Sequence, residues 1–506
     1  MTERARRGGD TKRGQVRAVK RHTAPTWWRD AKLGIFVHWT PASVPAFAPT
    51  EEEVGELLAA DRADALAHIS YTEWYENSLR FPDSPAARHH RATYGNREYR
   101  TFAQDWEAAL EQWNPDAWAD HFAAAGARYV VLVSKHMDGY CLWPSSVANP
   151  NAPKFRSSRD VVGELGEAVR ARGLKFGLYY SGGLDATWND HPIGRMSDLA
   201  LAQPRGAYVD YAEAQVRELI ARYRPSVLWG DISWPGPVAQ LARLLEHYYR
   251  AVPDGAVNDR FMPWSPAWAA MRWGPARGVL DRAAARSARR GTGVIPPAPP
   301  LYDYRTPEYT VFDDIQRQPW ECVRGIDKSF GYNAESQESD RVSERELLWM
   351  LTDIVSKNGN LLLNVGPRGV DAQIAPEQLA RLEWLGAFTA TNEAALRGTR
   401  PWATPAGRDG GGVELRYTAR DRFVYAIARA ADPAVAVEHI TLEEVGATPT
   451  TEVRALDGTA VEWHPAGSGG GIELRPGAPI AGDRPVAFEI RDAVAVDSGV
   501  SRSSYG

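Results

Sequence analysis

Acidic and aromatic residues follow several short apolar runs of this chain. Val227, Leu228 and Trp229 form one such run, and Asp231 comes just after it. A run of this kind is typical of a buried parallel strand. Because the strands of an α/β barrel present their last residues at the edge where that fold carries its chemistry, Asp231 is the first candidate for a reactive carboxylate.

Five other apolar runs end in the same way. They are residues 35–37, 129–133, 175–178, 257 and 361–363. The residues that follow them are polar or aromatic, and they include His38, Trp39, His136, Asp138, Tyr179, Tyr180, Asn258, Asp259, Arg260 and Asn364. Because the carboxyl ends of parallel strands meet at one edge, the sequence predicts a single site at the mouth of a barrel.

Carboxylates combined with aromatic rings and neutral hydrogen-bonding groups suit the binding of carbohydrate. A sugar presents C–H faces that stack on rings and hydroxyl groups that need polar partners. The chain contains 19 Trp and 20 Tyr. Several of these follow the predicted strand ends, namely Trp39, Tyr179, Tyr180, Trp229 and Trp234.

Hydrolysis of a glycosidic bond with retention requires an ionised carboxylate and a protonated acid, roughly 5–5.5 Å apart. Asp231 is the candidate nucleophile. Glu308 is a candidate acid because Pro307 stiffens its loop, but Glu73 and Glu321 compete with it, and the residues alone leave the choice open.

The order of the elements predicts the fold. Strand-like and helical patterns alternate over residues 26–398, with helices at 116–125, 159–173, 208–223, 237–251 and 343–357, and Asp160 as a cap. This alternation predicts an α/β fold with a (β/α) barrel-like catalytic domain. Residues 399–495 contain short β-like runs between glycine turns and predict a C-terminal antiparallel β-sandwich.

Three segments differ in composition from these two domains. Residues 1–25 are basic and polar and predict a disordered tail, and residues 496–506 predict a frayed end. Residues 267–300 are rich in Ala, Arg, Gly and Pro and predict a mobile surface insertion in the barrel.

Charge and cysteine content exclude several functions. The 506 residues carry a formal net charge of −5, which disfavours nucleic acid as a partner. Two cysteines give neither a disulfide framework nor a zinc spacing, and the 11 histidines show no ligand spacing, so we expect no metal. No cofactor is expected. No run approaches the roughly 20 apolar residues of a membrane span. A cytoplasmic location is the expectation, and the oligomeric state stays open.

The chain resembles the α-L-fucosidases of glycoside hydrolase family 29. Ten motifs match that family in order over roughly residues 26–400. They are residues 31–39, 73–75, 134–143, 173–183, 228–235, 257–260, 306–309, 320–321, 329–333 and 353–367.

The resemblance implies a barrel followed by a β-sandwich, no metal, and a retaining reaction on terminal α-L-fucose of a glycan or glycoside. It transfers the nucleophile to Asp231 and the acid/base to Glu308. It transfers sugar contacts to His38, Glu73, Trp74, His136, Tyr179, Trp229, Arg260 and Phe330. Phe330 and a tryptophan are expected to form an apolar wall for the methyl group of fucose.

Two features depart from the family. Met137 stands where the family usually has a second histidine, and methionine lacks the donor of an imidazole. Arg260 and Glu308 are separated by an unusually long stretch, so the assignment of Glu308 depends on its Thr-Pro-Glu-Tyr context. A related activity such as α-L-galactosidase is one alternative. A fucose-binding protein without catalysis is another, and such a protein would be expected to have lost one carboxylate.

Overall fold

The computed structural model describes residues 14, 16–60, 62–289, 293–407, 412–467 and 470–496. Within this part of the chain, a parallel sheet surrounded by helices leads into a set of antiparallel sheets. None of the helices in these ranges is both long enough and apolar enough to span a bilayer.

Seven parallel strands form the curled sheet of the N-terminal domain. They are β1 (Leu33–Val37), β2 (Tyr129–Lys135), β3 (Lys175–Ser181), β4 (Val227–Asp231), β5 (Ala256–Val257), β6 (Trp320–Gly325) and β7 (Gly359–Val365). Their order in the sheet is β5-β4-β3-β2-β1-β7-β6. The sequence predicts six of them and misses β6, in which Glu321 and Arg324 interrupt any apolar run.

The edge strands β5 and β6 do not pair directly but are joined through residues 303–309, the closing segment. The backbone N–H of Asp303 donates to Val257 of β5 at 2.8 Å. On the other side, the N–H of Val323 in β6 donates to Pro307 at 3.0 Å. The predicted barrel-like domain is therefore confirmed, with seven regular strands and one irregular segment that completes the ring.

The strand side chains alternate between two apolar clusters. Ile35, Val37 and Leu178 pack outward with the helices. Phe36 and Trp229 belong to a second cluster inside the curled sheet. Both faces of the strands are thus buried, which explains why they are apolar almost throughout.

Thirteen α-helices are defined in the described ranges, most of them around the sheet. They are α1 (Thr26–Ala31), α2 (Val54–Ala59), α3 (Tyr75–Ser78), α4 (Pro85–Tyr94), α5 (Phe102–Ala109), α6 (Pro115–Ala124), α7 (Val161–Ala171), α8 (Asp198–Ala202), α9 (Ala207–Tyr223), α10 (Val238–Ala251), α11 (Gly274–Ala288), α12 (Glu344–Ser356) and α13 (Pro376–Leu396). The predicted cap Asp160 accepts from the N–H of Gly163 at 3.0 Å, which satisfies a free donor of α7.

Residues 16–25 lie against the N-terminal domain, so the prediction of a disordered tail over residues 1–25 is wrong for residues 16–25. Residues 16–19 are helical, and Val19 is buried in the outer cluster. The His22 ring stacks on Tyr249 at 3.7 Å and its Nδ1 lies 2.8 Å from a carboxylate oxygen of Asp303. Residues 1–13 and 15, and residues 497–506 of the predicted C-terminal tail, lie outside the described part of the chain.

The predicted insertion, residues 267–300, contains most of a 3-10 helix (Pro266–Arg272) and all of α11. Alanine and arginine are good helix formers, and Asp281, Ala285 and Ala288 give α11 one buried face. This helix packs against α2. Residues 290–292 lie outside the described part, and the mobility of the insertion stays a prediction.

The C-terminal domain consists of antiparallel sheets, as the sequence predicts. A five-stranded sheet contains β8 (Arg400–Gly407), β9 (Val413–Arg420), β10 (Phe423–Ala430), β13 (Glu452–Ala455) and β16 (Val486–Arg491). Two smaller sheets contain β11 (Ile440–Leu442), β14 (Val461–Pro465) and β15 (Ile472–Pro476), and β12 (Val445–Gly446) and β17 (Val494–Ala495). The hydroxyl of Thr418 in β9 donates to Ala395 of α13 at 2.6 Å and so joins the two domains.

Candidate active site

Asp231 is the last residue of β4, as the strand-end argument predicts. Its side chain is 17% exposed. The hydroxyl of Tyr179, on the neighbouring strand β3, donates to Asp231 Oδ2 at 2.8 Å. Burial raises the pKa of Asp231, while Arg260 and the Tyr179 hydroxyl act in the opposite direction. The two neighbours therefore stabilise the ionised carboxylate in a site that otherwise disfavours charge.

The backbone after Asp231 has an uncommon conformation. Ile232 and Ser233 have φ angles of 50° and 74°, a region that a β-branched residue such as isoleucine rarely adopts. Gly183 leaves room for this turn, because a Cβ there would lie 1.8 Å from the Ile232 carbonyl oxygen. Gln203 donates to the hydroxyl of Ser233 at 2.7 Å. These contacts hold the chain that follows the candidate nucleophile.

Glu308 lies on the closing segment and is largely buried. Its backbone N–H donates to Val294 at 2.8 Å, and its carbonyl accepts from the same residue at 2.9 Å. The hydroxyl of Tyr71 donates to Glu308 Oε1 at 2.5 Å. The segment predicted to carry an acid over the mouth is thus held between β6 and the end of the insertion, which fixes the position of Glu308.

Arg260 bridges the two candidate carboxylates. Its Nη1 lies 2.8 Å from Glu308 Oε2 and 3.5 Å from Asp231 Oδ1. Its Nε and Nη2 donate to the hydroxyl and carbonyl of Thr306 at 3.1 and 3.0 Å. The guanidinium also lies 5.1 Å from the ring centre of Trp229. One side chain therefore sets the distance between the two acids.

Glu321, which competes with Glu308 in the sequence, lies inside the barrel and away from the mouth. It is fully buried and accepts hydrogen bonds from the Tyr129 hydroxyl at 2.5 Å and from the Trp229 indole at 3.0 Å. Burial raises its pKa to about 7. Glu321 is thus enclosed by these donors, whereas Glu308 lies beside Arg260 and Asp231.

His38, Glu73 and His136 meet in one corner of the site. Burial lowers the pKa of His38 to about 3 and the pKa of His136 well below its usual value, so both rings are neutral. Since His38 Nδ1 donates to the Asn364 carbonyl oxygen at 2.5 Å, its Nε2 is left as an acceptor. Burial raises the pKa of Glu73 to about 8, and the carboxyl accepts from the N–H of Gly331 at 3.1 Å.

The ligating atoms of this corner lie within 4.8 Å of one another. Three ligands of one metal ion have such a spacing, but neutral imidazoles and a protonated carboxyl equally suit a pair of sugar hydroxyl groups. The expectation that the protein needs no metal stays a prediction.

Aromatic rings form the wall of the site. Tyr179 stacks between His136, at 5.5 Å, and Trp229, at 5.6 Å. Phe330 is buried, with its ring centre 5.2 Å from that of His38, and Trp74 packs partly exposed against the same inner cluster. The structure thus brings the predicted aromatic contacts together with the predicted carboxylates.

Met137 is buried in the same inner cluster as Tyr179 and Trp229. Its carbonyl accepts from the N–H of Ala186 at 2.8 Å, which ties the loop after β2 to the loop after β3. The side chain thus lies near the aromatic wall and offers no hydrogen-bond donor, and its effect on selectivity stays a prediction.

Sequence reasoning gave no specific role to several residues that support this site. Tyr71 contacts Glu308, and Asn364 orients His38. Asp259 accepts from the N–H and hydroxyl of Thr306 at 2.9 and 2.5 Å and so holds the closing segment beside Arg260. Asn364 and Asp259 follow predicted strand ends, and that pattern places them at the site without showing what they contact. Tyr71 precedes Glu73 by two residues and carries no comparable signal.

Comparison with known proteins agrees with this geometry. A family model described as Alpha-L-fucosidase matches residues 9–394. The α-L-fucosidase of Branchiostoma floridae is 30% identical over 469 residues, which cover 89% of this chain and 88% of that protein. The tissue α-L-fucosidase of Rattus norvegicus is 29% identical over 408 residues, or 79% of this chain and 75% of that protein.

Solved structures extend the similarity to both domains. One α-L-fucosidase shares 36% identity with a TM-score of 0.78 and covers 94% of this chain and 99% of its own. The α-fucosidase of Thermotoga maritima shares 35% identity with a TM-score of 0.75 and covers 94% and 98%. The family match over most of the chain, together with a site of carboxylates and aromatic rings, shows that the chain belongs to the α-L-fucosidase family of glycoside hydrolases.

Proposed function

We propose that this fucosidase is an exo-acting, retaining enzyme that releases terminal α-L-fucose by double displacement, with Asp231 as nucleophile and Glu308 as acid/base. One observation carries the proposal. Both carboxylates contact the same nitrogen of Arg260, so their nearest oxygens are at most 2.8 plus 3.5 Å apart. That upper limit lies below the roughly 6.5–9.5 Å of inverting enzymes and admits the roughly 5–5.5 Å of retaining ones.

The two steps use these groups in turn. Asp231 attacks the anomeric carbon and forms a glycosyl ester, while Glu308 gives its proton to the departing glycosidic oxygen. Glu308, now ionised, takes a proton from water, which attacks the anomeric carbon and releases fucose and the Asp231 carboxylate. The Tyr179 hydroxyl holds the nucleophile throughout. A mechanism based inhibitor complex of the Thermotoga maritima α-fucosidase supports the proposal by similarity.

The remaining residues bind the sugar. His38 Nε2 accepts a hydrogen bond from one hydroxyl group of the sugar. Glu73 and His136 are close enough to bind the neighbouring hydroxyl groups. Trp74, Trp229 and Phe330 supply apolar contact. Because this wall is buried and apolar near Phe330, it suits the methyl group of fucose better than the additional hydroxyl of L-galactose. The presence of both carboxylates disfavours a protein that only binds fucose.

Covalent labelling tests the nucleophile. A fluorinated fucosyl inhibitor is expected to modify Asp231, identified by mass spectrometry of peptides, and Asp231→Ala should lose nearly all turnover with an unchanged circular dichroism spectrum. The second readout is an NMR time course, in which the anomer released first should be α-fucose. Labelling of Glu73 or Asp138, or release of the inverted product, would contradict the proposal.

Azide rescue tests the acid/base. Glu308→Ala should lose about 10²–10⁴-fold on substrates with poor leaving groups. On a nitrophenyl fucoside, whose leaving group needs no proton, azide should restore activity by replacing water in the second step. Glu321→Ala is the matched control, because that carboxyl is buried inside the barrel. Rescue of the Glu321 variant in place of the Glu308 variant would reassign the acid.

A further inference from the structure

A short length of chain leads outward from the catalytic carboxylates to an aromatic side chain. Residues 260–264 run beside residues 231–236, and the N–H of Trp234 donates to Met262 at 2.8 Å. The N–H of Trp264 then donates to the Trp234 carbonyl at 2.9 Å. Since Trp234 is three residues beyond Asp231, the chain between them spans at most about 11 Å. Trp264 therefore belongs to a pair of loop segments that begin at Asp231 and at Arg260.

One arginine packs on Trp264, and a second lies in the segment that follows it. The guanidinium carbon of Arg205 lies 3.8 Å from the ring centre of Trp264. Helix α8, which ends three residues before Arg205, contacts the 3-10 helix that ends at Arg272. Burial, and then the positive charge of Arg272, lower the pKa of Arg205. Both side chains are exposed, and Trp264 is partly exposed. In the described ranges neither arginine has an ion-pair partner, and the Trp264 indole N–H has no acceptor.

The chain that follows has an excess of positive charge. Residues 262–289 contain five arginines, at positions 272, 277, 282, 286 and 289, and one acid, Asp281. The Asp281 carboxylate is occupied, because it accepts from the N–H and the hydroxyl of Ser197, each at 2.9 Å. Among the residues that the structure places, none of the five arginines pairs with a carboxylate. The charge is thus available to a ligand, in a chain whose net charge is −5.

We propose that Trp264, Arg205 and Arg272 form an acceptor-side binding site for an acidic sugar, one that carries a carboxylate or a sulfate ester and belongs to the glycan that bears the fucose. The proposal rests on the fucosidase function above and specifies its substrate. A guanidinium binds either anion with two parallel hydrogen bonds, and an indole face packs on the C–H face of the same sugar. An anion between Arg205 and Arg272 would also relieve their repulsion.

Matched substrates test this site. Initial rates would be compared for a fucosylated oligosaccharide with a terminal carboxylate sugar, for its sulfated counterpart, and for the same oligosaccharide with neither group. We expect a higher kcat/KM for at least one acidic form, and a preference that declines as salt rises from about 0.02 to 0.5 M because the contacts are partly exposed. The two acidic substrates decide between carboxylate and sulfate.

Variants locate the preference. Arg205→Ala and Arg272→Ala should each reduce the ratio of acidic to neutral kcat/KM about 3- to 10-fold, the order expected of one charge-assisted contact. Arg475→Ala, an exposed change in the C-terminal domain, should leave the ratio unaltered. Equal kcat/KM for acidic and neutral substrates in the unaltered protein, or a ratio that neither variant changes, would overturn the proposal. Failure to hydrolyse even a nitrophenyl fucoside would instead refute the function on which it rests.

Discussion

The hydroxyl of Tyr179 offers the most direct test of how the site keeps its nucleophile ionised. It donates to Asp231 Oδ2 at 2.8 Å in a site where burial raises the pKa of that carboxyl. Tyr179→Phe removes this one donor. The ring stays, because it is packed between His136 and Trp229 at 5.5 and 5.6 Å. The change therefore alters the electrostatics of Asp231 with little effect on packing.

The size of the effect follows from the lost contact. A hydrogen bond to a charged group contributes about 1.5–3 kcal/mol, which corresponds to a pKa change of roughly 1–2 units. Because the hydroxyl stabilises the ionised form, its loss raises the pKa of Asp231 further. Only the ionised carboxylate can attack, so the acid limb of the kcat/KM profile should move to higher pH by this amount. Activity should fall most at the acid end of the profile.

The assay is the pH dependence of kcat/KM on a nitrophenyl fucoside between pH 4 and 9. Tyr180→Phe is the control: it is the next residue of β3, equally buried, and its hydroxyl donates to Gln215 at 2.9 Å on the opposite side of the sheet. That variant should keep the acid limb in place. If the acid limb of Tyr179→Phe coincides with that of the unaltered protein, the Tyr179 hydroxyl does not control the ionisation of the nucleophile.

Three further changes test other parts of the structure. The pKa of Glu321, raised to about 7, exceeds its ordinary value of 4.5, so the folded state holds an extra proton and loses up to about 3 kcal/mol of stability as pH rises between these values. Glu321→Gln should therefore melt at a less pH-dependent temperature, and parallel Tm curves would contradict this. The pKa of Glu73 is about 8, so the protein should bind fucose more weakly above that pH. For Glu73→Gln, the inhibition constant of fucose should not change with pH across the same range. Met137→His should change the ratio of kcat/KM for fucoside over L-galactoside by roughly 2- to 10-fold, the effect of one neutral hydrogen bond, and an unchanged ratio would mean that residue 137 does not reach the sugar.

The strand ends were the part of the site most accessible to sequence reasoning. Asp231 and His38 each follow an apolar run. Such a run indicates a strand of this sheet, because both faces of the sheet are buried. Glu308 could be selected by its family context but not by physical reasoning alone. Its partners Tyr71 and Arg260 lie 237 and 48 residues away along the chain.

Other features depended on contacts that a sequence does not display. The sequence offers Glu321 as a competing acid, but the indole of Trp229 and the hydroxyl of Tyr129 donate hydrogen bonds to it inside the barrel. The basic residues near the start suggested a disordered tail as far as residue 25, yet Val19 and His22 find partners that lie far along the chain. Such errors arise because composition reports how polar a segment is, and not which distant groups will pair with it.

The closing segment has a consequence for how the family can vary. Residues 303–309 are tied to β5 at one end and to β6 at the other by their own backbone hydrogen bonds. The place of Glu308 is therefore set by these local ties and does not depend on how many residues precede it. A longer or shorter stretch between Phe261 and Val294 can be accommodated while the acid stays beside Arg260. Preference for the rest of the glycan can thus diverge between relatives without any change in the machinery that cleaves the bond.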